Sequence, residues 1–163
     1  LLTLSRIDAG VLQLEKKEVD IFTLLELSAE GVDEIIRARK IRVDIPNHPD
    51  ITFQGDMEWS MEAFSNLIKN CAEHTPEGGR IIMDYTCNPL YTQIIIQDTG
   101  AGFAPEELPH VFERFYRGKD AGENGIGIGL SLAKSLIEMQ NGFLTAQNLP
   151  EGGACFTVRF YHH

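Results

Sequence analysis

No apolar run in this chain approaches the roughly 20 residues that a membrane-spanning helix needs, and its start lacks the layout of a secretory leader. Basic residues are scarce: 14 Lys and Arg stand against 24 Asp and Glu, for a formal net charge of -10. The cations are scattered, so there is no basic stripe to track a nucleic acid or an anionic membrane surface, and no nucleic-acid partner is expected. Cysteine is rare and odd in number. Cys71, Cys87 and Cys155 lie inside apolar segments without metal-ligand spacing, the pattern of reduced, buried thiols in a cytosolic setting rather than of a disulfide framework. Repeats and low-complexity tracts are absent, and so is an initiator Met. The 163 residues are enough for one domain that buries about 70% of the surface its unfolded chain exposes.

What is present is an alternation of helical and strand periods. Leu1, Leu4 and Ile7 recur at helical spacing until Gly10 stops them, as at the tail of a longer helix. Residues 11–20 read as a connector or short strand. Asp20 is a good N-cap for a helix running to about Lys40. Strands are expected over Ile41–Ile45, ended by Pro46, and over Ile51–Gln54. Asp56 caps a helix in which Phe64, Leu67, Ile68 and Cys71 form the core face. Ile81–Tyr85 and Thr92–Gln97, joined by a turn at Asn88-Pro89, suggest a hairpin. A short helix is expected over 105–117, a polar, glycine-rich stretch over 118–125, and a helix over 128–141. Two strands, Gly142–Asn148 and Cys155–Tyr161, joined by Pro150-Glu151-Gly152-Gly153, close the chain. The sum is an α+β fold, a two-layer α/β sandwich whose mixed sheet is covered on one face by helices.

Three short stretches carry the chemistry. In Asn66-Leu67-Ile68-Lys69-Asn70, two amides four residues apart share one side of a helix. A neutral amide oxygen is a hard ligand suited to Mg²⁺, which takes one or two protein ligands and bridges substrate phosphates. In Asp98-Thr99-Gly100-Ala101-Gly102, a strand delivers a carboxylate where the backbone turns. A carboxylate accepts hydrogen bonds, which suits the exocyclic amine of adenine, and Gly100 and Gly102 let the chain approach a flat base. In Gly125-Ile126-Gly127-Ile128-Gly129-Leu130, bare amides precede a helix N-terminus, which favours phosphate. No Lys-Ser or Lys-Thr follows, as a Walker loop requires, and no strand precedes, as a dinucleotide fingerprint requires.

In this order and spacing, the stretches resemble the catalytic, ATP-binding domain of bacterial sensor histidine kinases, of the wider GHKL ATPase group with its Bergerat-type fold. Residues 1–12 look like the end of the dimerisation helix and a connector, and 13–163 like the catalytic domain. Asn66–Pro76 looks like the N box, Asp98–Phe103 the first glycine box, Val111–Gly118 the F box and Gly125–Leu130 the second glycine box. The closing Gly152–Val158 fits the family's last strand. The resemblance implies that Asn70 holds Mg²⁺ on ATP and that Asn66 supports it. Asp98 reads adenine, with Gly100 and Gly102 lining the base. Residues 104 to 126 form a lid anchored by Phe112 and Phe115, and Gly127 and Gly129 present amides to phosphate. Arg114, Arg117 and Lys119 are nearby cations that can neutralise phosphate charge.

The chain departs from the family at two positions. Glu73 stands where Lys or Arg is usual, and His74 where an aromatic is usual. A Glu beside a triphosphate repels it; Lys69, one turn earlier, can pair with Glu73 or take over the phosphate contact, and His74 can still stack on a base. Relatives that hydrolyse ATP carry a Glu one turn before the metal Asn. Asn66 takes that position here and cannot accept a proton, which favours transfer over hydrolysis. His48, His74, His110, His162 and His163 lack the family's phosphoacceptor motif. The acceptor, and through it a response regulator, therefore belong to a dimerisation domain of the same parent protein, itself a homodimer with a possible membrane anchor; the fragment alone can be a monomer and is not expected to phosphorylate itself. The alternatives are a non-catalytic nucleotide-binding or interaction module and a GHKL-type ATP hydrolase.

Overall fold

The computed structural model describes residues 13–114 and 129–162. Its elements run β1 (Lys17–Asp20), α1 (Ile21–Glu30), α2 (Asp33–Ala38), β2 (Arg42–Asp44), β3 (Thr52–Gly55), α3 (Met57–His74), β4 (Arg80–Cys87), β5 (Tyr91–Asp98), a 3-10 turn (Leu108–His110), α4 (Gly129–Glu138), β6 (Gly142–Asn148) and β7 (Ala154–Tyr161). Five strands form one sheet in the order β2-β4-β5-β7-β6. Only β2, parallel to β4, departs from antiparallel pairing, so the sheet is mixed.

Alternation along the central strand sets the layers. Thr92, Ile94, Ile96 and Asp98 of β5 are buried, while Gln93, Ile95 and Gln97 between them are only half-buried. The register places Ile96 between Met83 and Phe156, and Ile94 between Tyr85 and Val158. Onto this inner face pack Phe64, Leu67, Ile68 and Cys71 of α3 and Ala133, Leu136 and Ile137 of α4, none of them exposed. The opposite face carries Gln93, Thr145, Arg159 and an exposed Phe143. The expected two-layer architecture is thus present, with helices on one face.

Local chemistry explains two helix starts and one turn. Asp20 caps α1 by accepting from the Thr23 amide at 3.0 Å, and Asp56 caps α3 by accepting from the Trp59 amide at 3.0 Å. In the β4–β5 turn, Asn88 Oδ1 accepts from the amides of Leu90 and Tyr91 at 2.8 and 2.9 Å.

Four expectations change. The single helix from Asp20 to Lys40 is two, because Gly31 ends α1 and α2 restarts at Asp33 so that Val32 and Ile36 are both buried. Residues 105–114 form turns around one 3-10 turn rather than a helix; Pro105 and Pro109 lack the N–H groups a helix would use. The strands at 17–20 and 52–55 pair with each other as a separate antiparallel ribbon. Cys87 is exposed rather than buried, since it ends β4 beside the turn, and all three thiols are free.

The helix carrying the two amides is tied to α4 by one buried side chain. Gln140 Oε1 accepts from the Asp56 amide at 2.7 Å and the Ser60 hydroxyl at 3.0 Å, and its Nε2 donates to the Leu136 carbonyl at 3.0 Å. Gln140→Leu strands two buried donors, so urea denaturation is expected to show a loss of about 1–3 kcal/mol; an unchanged midpoint contradicts the clamp.

Candidate functional site

The inward phase of β5 puts its last residue, Asp98, on the core side of the sheet, 3% exposed. Its Oδ1 accepts from the amides of Gly100 at 2.9 Å and Ala154 at 3.1 Å. Its Oδ2 is buried and has no hydrogen-bond partner among the described residues. Cys71 on α3 lies beside it: burial, and then the Asp98 carboxylate, push that thiol well above its ordinary value. A thiol is a weak donor, and no hydrogen bond of normal geometry links it to Oδ2. A buried acceptor without a donor is uncommon in native folds and favours a ligand bearing an N–H at this point.

The glycines around Asp98 are set by contact. Gly100 packs on the His74 carbonyl at the end of α3, where any Cβ would collide with backbone. Gly102 has φ +79°, and a Cβ there would come within 2.7 Å of Asn148 Oδ1. Gly153, at φ +93°, lies against the Asp98 carbonyl in the same way. Asn148, at the end of β6, fixes the loop after the glycines: its Oδ1 accepts from the Phe103 amide at 2.8 Å and its Nδ2 donates to the Phe103 carbonyl at 2.7 Å.

Asn66 and Asn70 are both half-buried on α3. Among the described residues nothing hydrogen-bonds either side-chain amide, so their oxygens are available as ligands. Gly129 opens α4 facing the first of them, since a Cβ built there would stand 3.6 Å from Asn66 Oδ1. The described parts of the three stretches therefore converge on the second half of α3. Gly100 meets it at His74 and Gly129 meets it at Asn66, about 12 Å apart along the helix axis.

The remaining expected residues are less gathered. Lys69 and Glu73 are exposed and form no ion pair with each other, and His74 is exposed on the last turn of α3. Leu130 packs partly buried against the core. Arg114 is exposed beyond the 3-10 turn. Phe112 is half-buried, its ring 6.3 Å from that of Phe156 and 5.1 Å from Lys134 Nζ. Phe115, Arg117, Lys119, Gly125 and Gly127 lie outside the described residues, as do Leu1, Leu4 and Ile7. Concavities of about 640 and 580 Å³ lie elsewhere, along β2–β4 and on the open face of the sheet, and include no residue of this site.

Asn148, Gly153 and Ala154 do not read as site residues in the sequence, where Gly153 and Ala154 belong only to a turn and the last strand. Gly152-Gly153 reads there as a turn, but its partner Asp98 is more than fifty residues away, and no local pattern reports such a contact.

A family model described as "Histidine kinase-, DNA gyrase B-, and HSP90-like ATPase" matches residues 55–162. The signal transduction histidine-protein kinase BaeS of Escherichia coli (strain K12) is 30% identical over 158 residues, 95% of this chain and 34% of that protein. This chain thus spans about a third of that relative's length. Among solved structures, the mycobacterial sensor histidine kinase MprB superposes with a TM-score of 0.76 at 26% identity, over 89% of this chain and 97% of that one. Full-length ShkA in complex with AMPPNP shares the fold with a TM-score of 0.82 at 23% identity, over 98% of this chain and 34% of that one.

The positive φ and the backbone contact at Gly153 give a direct check. Gly153→Ala is expected to cost more than about 1 kcal/mol of stability and to weaken ligand binding by displacing Asp98. Chemical denaturation checks the first effect, and a variant as stable as the parent would contradict the contact.

Proposed function

Because the chain belongs to the histidine kinase-, DNA gyrase B- and HSP90-like ATPase family, we infer that this site binds ATP with Mg²⁺ and serves as the phosphoryl-donor half of a sensor histidine kinase. The observation that carries this reading is the buried Asp98 Oδ2, an acceptor left without a donor among the described residues, where glycines allow the end of α3 and the loop after β5 to pack closely around it. The 6-amino group of adenine supplies the missing N–H. Gly100 and Gly102 border the base, and His74 stands at the adjacent end of α3.

From there the triphosphate runs along α3 toward Gly129. Asn70 holds Mg²⁺ through its amide oxygen, and Asn66 supports the same site. The half-buried setting and unengaged amides of both residues fit that role, and a hard oxygen donor fits the ion. When bound, Mg²⁺ neutralises charge on the phosphates. Gly129 and Leu130, at the N-terminus of α4, face the phosphates, a position where helix N–H groups favour an anion, and Gly125 and Gly127 are assigned to the same phosphate-binding stretch. Lys69, Arg114, Arg117 and Lys119 add positive charge around them. Phe112, held against Phe156, anchors the lid segment that excludes water before transfer.

Asn66 occupies the position from which a hydrolase would activate water, and an amide cannot take a proton. Transfer to an imidazole needs positioning and charge neutralisation more than a base, so the arrangement favours a kinase. The acceptor His is assigned to the dimerisation domain of the parent protein, which is taken to be a homodimer and to pass phosphate on to a response regulator. His48, which lies 3.0 Å from Asp84, and His110, 2.7 Å from Glu113, sit on exposed loops and turns rather than on a helix suited to that role. Glu73, exposed and without an ion-pair partner among the described residues, favours a second reading, a module that binds nucleotide poorly or not at all.

A fluorescent ATP analogue with Mg²⁺ tests the site. Asp98→Asn, which removes one charge-assisted contact, and Asn70→Asp, which sets a further negative charge beside the triphosphate, are each expected to weaken binding about tenfold or more; binding unchanged in both would place the nucleotide elsewhere. By calorimetry, Glu73→Lys is expected to tighten Mg-ATP binding by replacing repulsion with attraction, and an equal or larger dissociation constant would rule out that role for Glu73.

A further inference from the structure

At the end of the sheet opposite Asp98, three donor atoms converge from three segments. Cys87 ends β4, Thr92 lies directly across from it on β5, and His162 follows β7. Cys87 Sγ is 3.7 Å from His162 Nε2 and 3.6 Å from Thr92 Oγ1, and Thr92 Oγ1 is 3.5 Å from His162 Nε2. The three atoms form a nearly equilateral triangle. From the geometry we propose a binding site for a thiophilic d¹⁰ metal ion, with Zn²⁺ as its probe, ligated by Cys87 and His162 and capped by the Thr92 hydroxyl.

The dimensions support it. With Zn–S of about 2.3 Å and Zn–N or Zn–O of about 2.0–2.2 Å, ligands at the tetrahedral angle stand roughly 3.4–3.6 Å apart. The observed separations match within a few tenths of an ångström. The orientation of Thr92 also fits. The residue is fully buried, and its hydroxyl has two acceptors within reach, Cys87 Sγ at 3.6 Å and the Thr52 carbonyl at 3.3 Å; with its single proton on the carbonyl, lone pairs are free for an ion held by the sulfur and the imidazole. The His162 amide donates to the Leu90 carbonyl at 2.9 Å, which holds the backbone of the ligand beside the β4–β5 turn. Cys87 and His162 are both exposed, which leaves solvent to complete the tetrahedron and gives the ion a way in.

Chemistry separates this site from the proposed Mg²⁺ position. A thiolate with an imidazole selects soft or borderline ions, whereas amide oxygens suit Mg²⁺. Thr92 also lies far from the nucleotide site, six residues from Asp98 along one strand, about 20 Å. The other thiols do not compete, because Cys71 and Cys155 are buried and burial raises both above the ordinary thiol value. A bound ion would join the β4–β5 turn to the end of β7, and binding to the folded state alone stabilises it by mass action.

The test is a Co²⁺ titration of the metal-free chain, kept reduced with a phosphine, in saturating Mg²⁺. One equivalent is expected to produce thiolate-to-cobalt charge-transfer absorption in the near ultraviolet, and Zn²⁺ to displace it. Cys87→Ser is expected to abolish the absorption. His162→Ala is expected to weaken Zn²⁺ affinity at least about tenfold, since even outer partners of a ligand set are worth that much. Alkylation of Cys87 gives a second readout, slowed by Zn²⁺ in the parent chain and not in His162→Ala. No absorption, absorption that persists in Cys87→Ser, equal Zn²⁺ affinity in His162→Ala, or alkylation indifferent to Zn²⁺ would each overturn the site and leave a hydrogen-bonded trio of side chains.

Discussion

The carboxylate of Asp98 is the point on which the rest of the site depends. It ends the central strand, faces the core, and uses one oxygen to hold two backbone amides from separate segments, Gly100 and Ala154. Those two bonds draw the loop after β5 and the start of β7 to a common centre. Burying such a group is expensive unless its lone pairs are met. The second oxygen is not met by the described residues, so the fold carries a cost at this position that a ligand with an N–H can offset. Gly100 and Gly153 follow from the same centre, because each lies where a side chain would strike backbone of α3 or β5.

Helix α3 then sets the order of chemistry. Its buried stripe of Phe64, Leu67, Ile68 and Cys71 fixes its rotation on the sheet, and that rotation leaves Asn66 and Asn70 half-buried on the adjoining side. Gln140 fixes the N-terminal end of α3 to α4. The result is a line from the Asp98 carboxylate, past the amides, to the start of α4. A nucleoside triphosphate has the same succession of base, bridging metal and terminal phosphates. Fold similarity to histidine kinase structures supports the architecture, but the reading of roles rests on this succession of groups.

Much of this was legible in the sequence because it is local. The core face of α3, the caps at Asp20 and Asp56, the hairpin at Asn88 and the position of Asp98 at the turn after a strand each follow from spacing within a few residues. What was not legible is tertiary. Nothing near Asn148 announces its two bonds to Phe103, and nothing near Gly153 announces the Asp98 carbonyl beside it. The break at Gly31 depended on where Val32 and Ile36 had to be buried, and the loss of a helix after 105 on two prolines within five residues. Cys87 was expected to be buried from its apolar neighbours, although the last residue of a strand often escapes the core. Its proximity to His162, 75 residues on, belongs to the sheet register and to no local motif.

The central claim is that Asp98 reads an exocyclic amine. Inosine triphosphate tests it directly, since it differs from ATP in carrying a carbonyl where adenine carries that amine. Calorimetric titration of the unmodified chain with each nucleotide and Mg²⁺ is expected to show ATP bound about tenfold or more tightly, because the carbonyl would leave the Asp98 oxygen unpaired and facing another acceptor. Equal affinities for the two nucleotides would contradict the account.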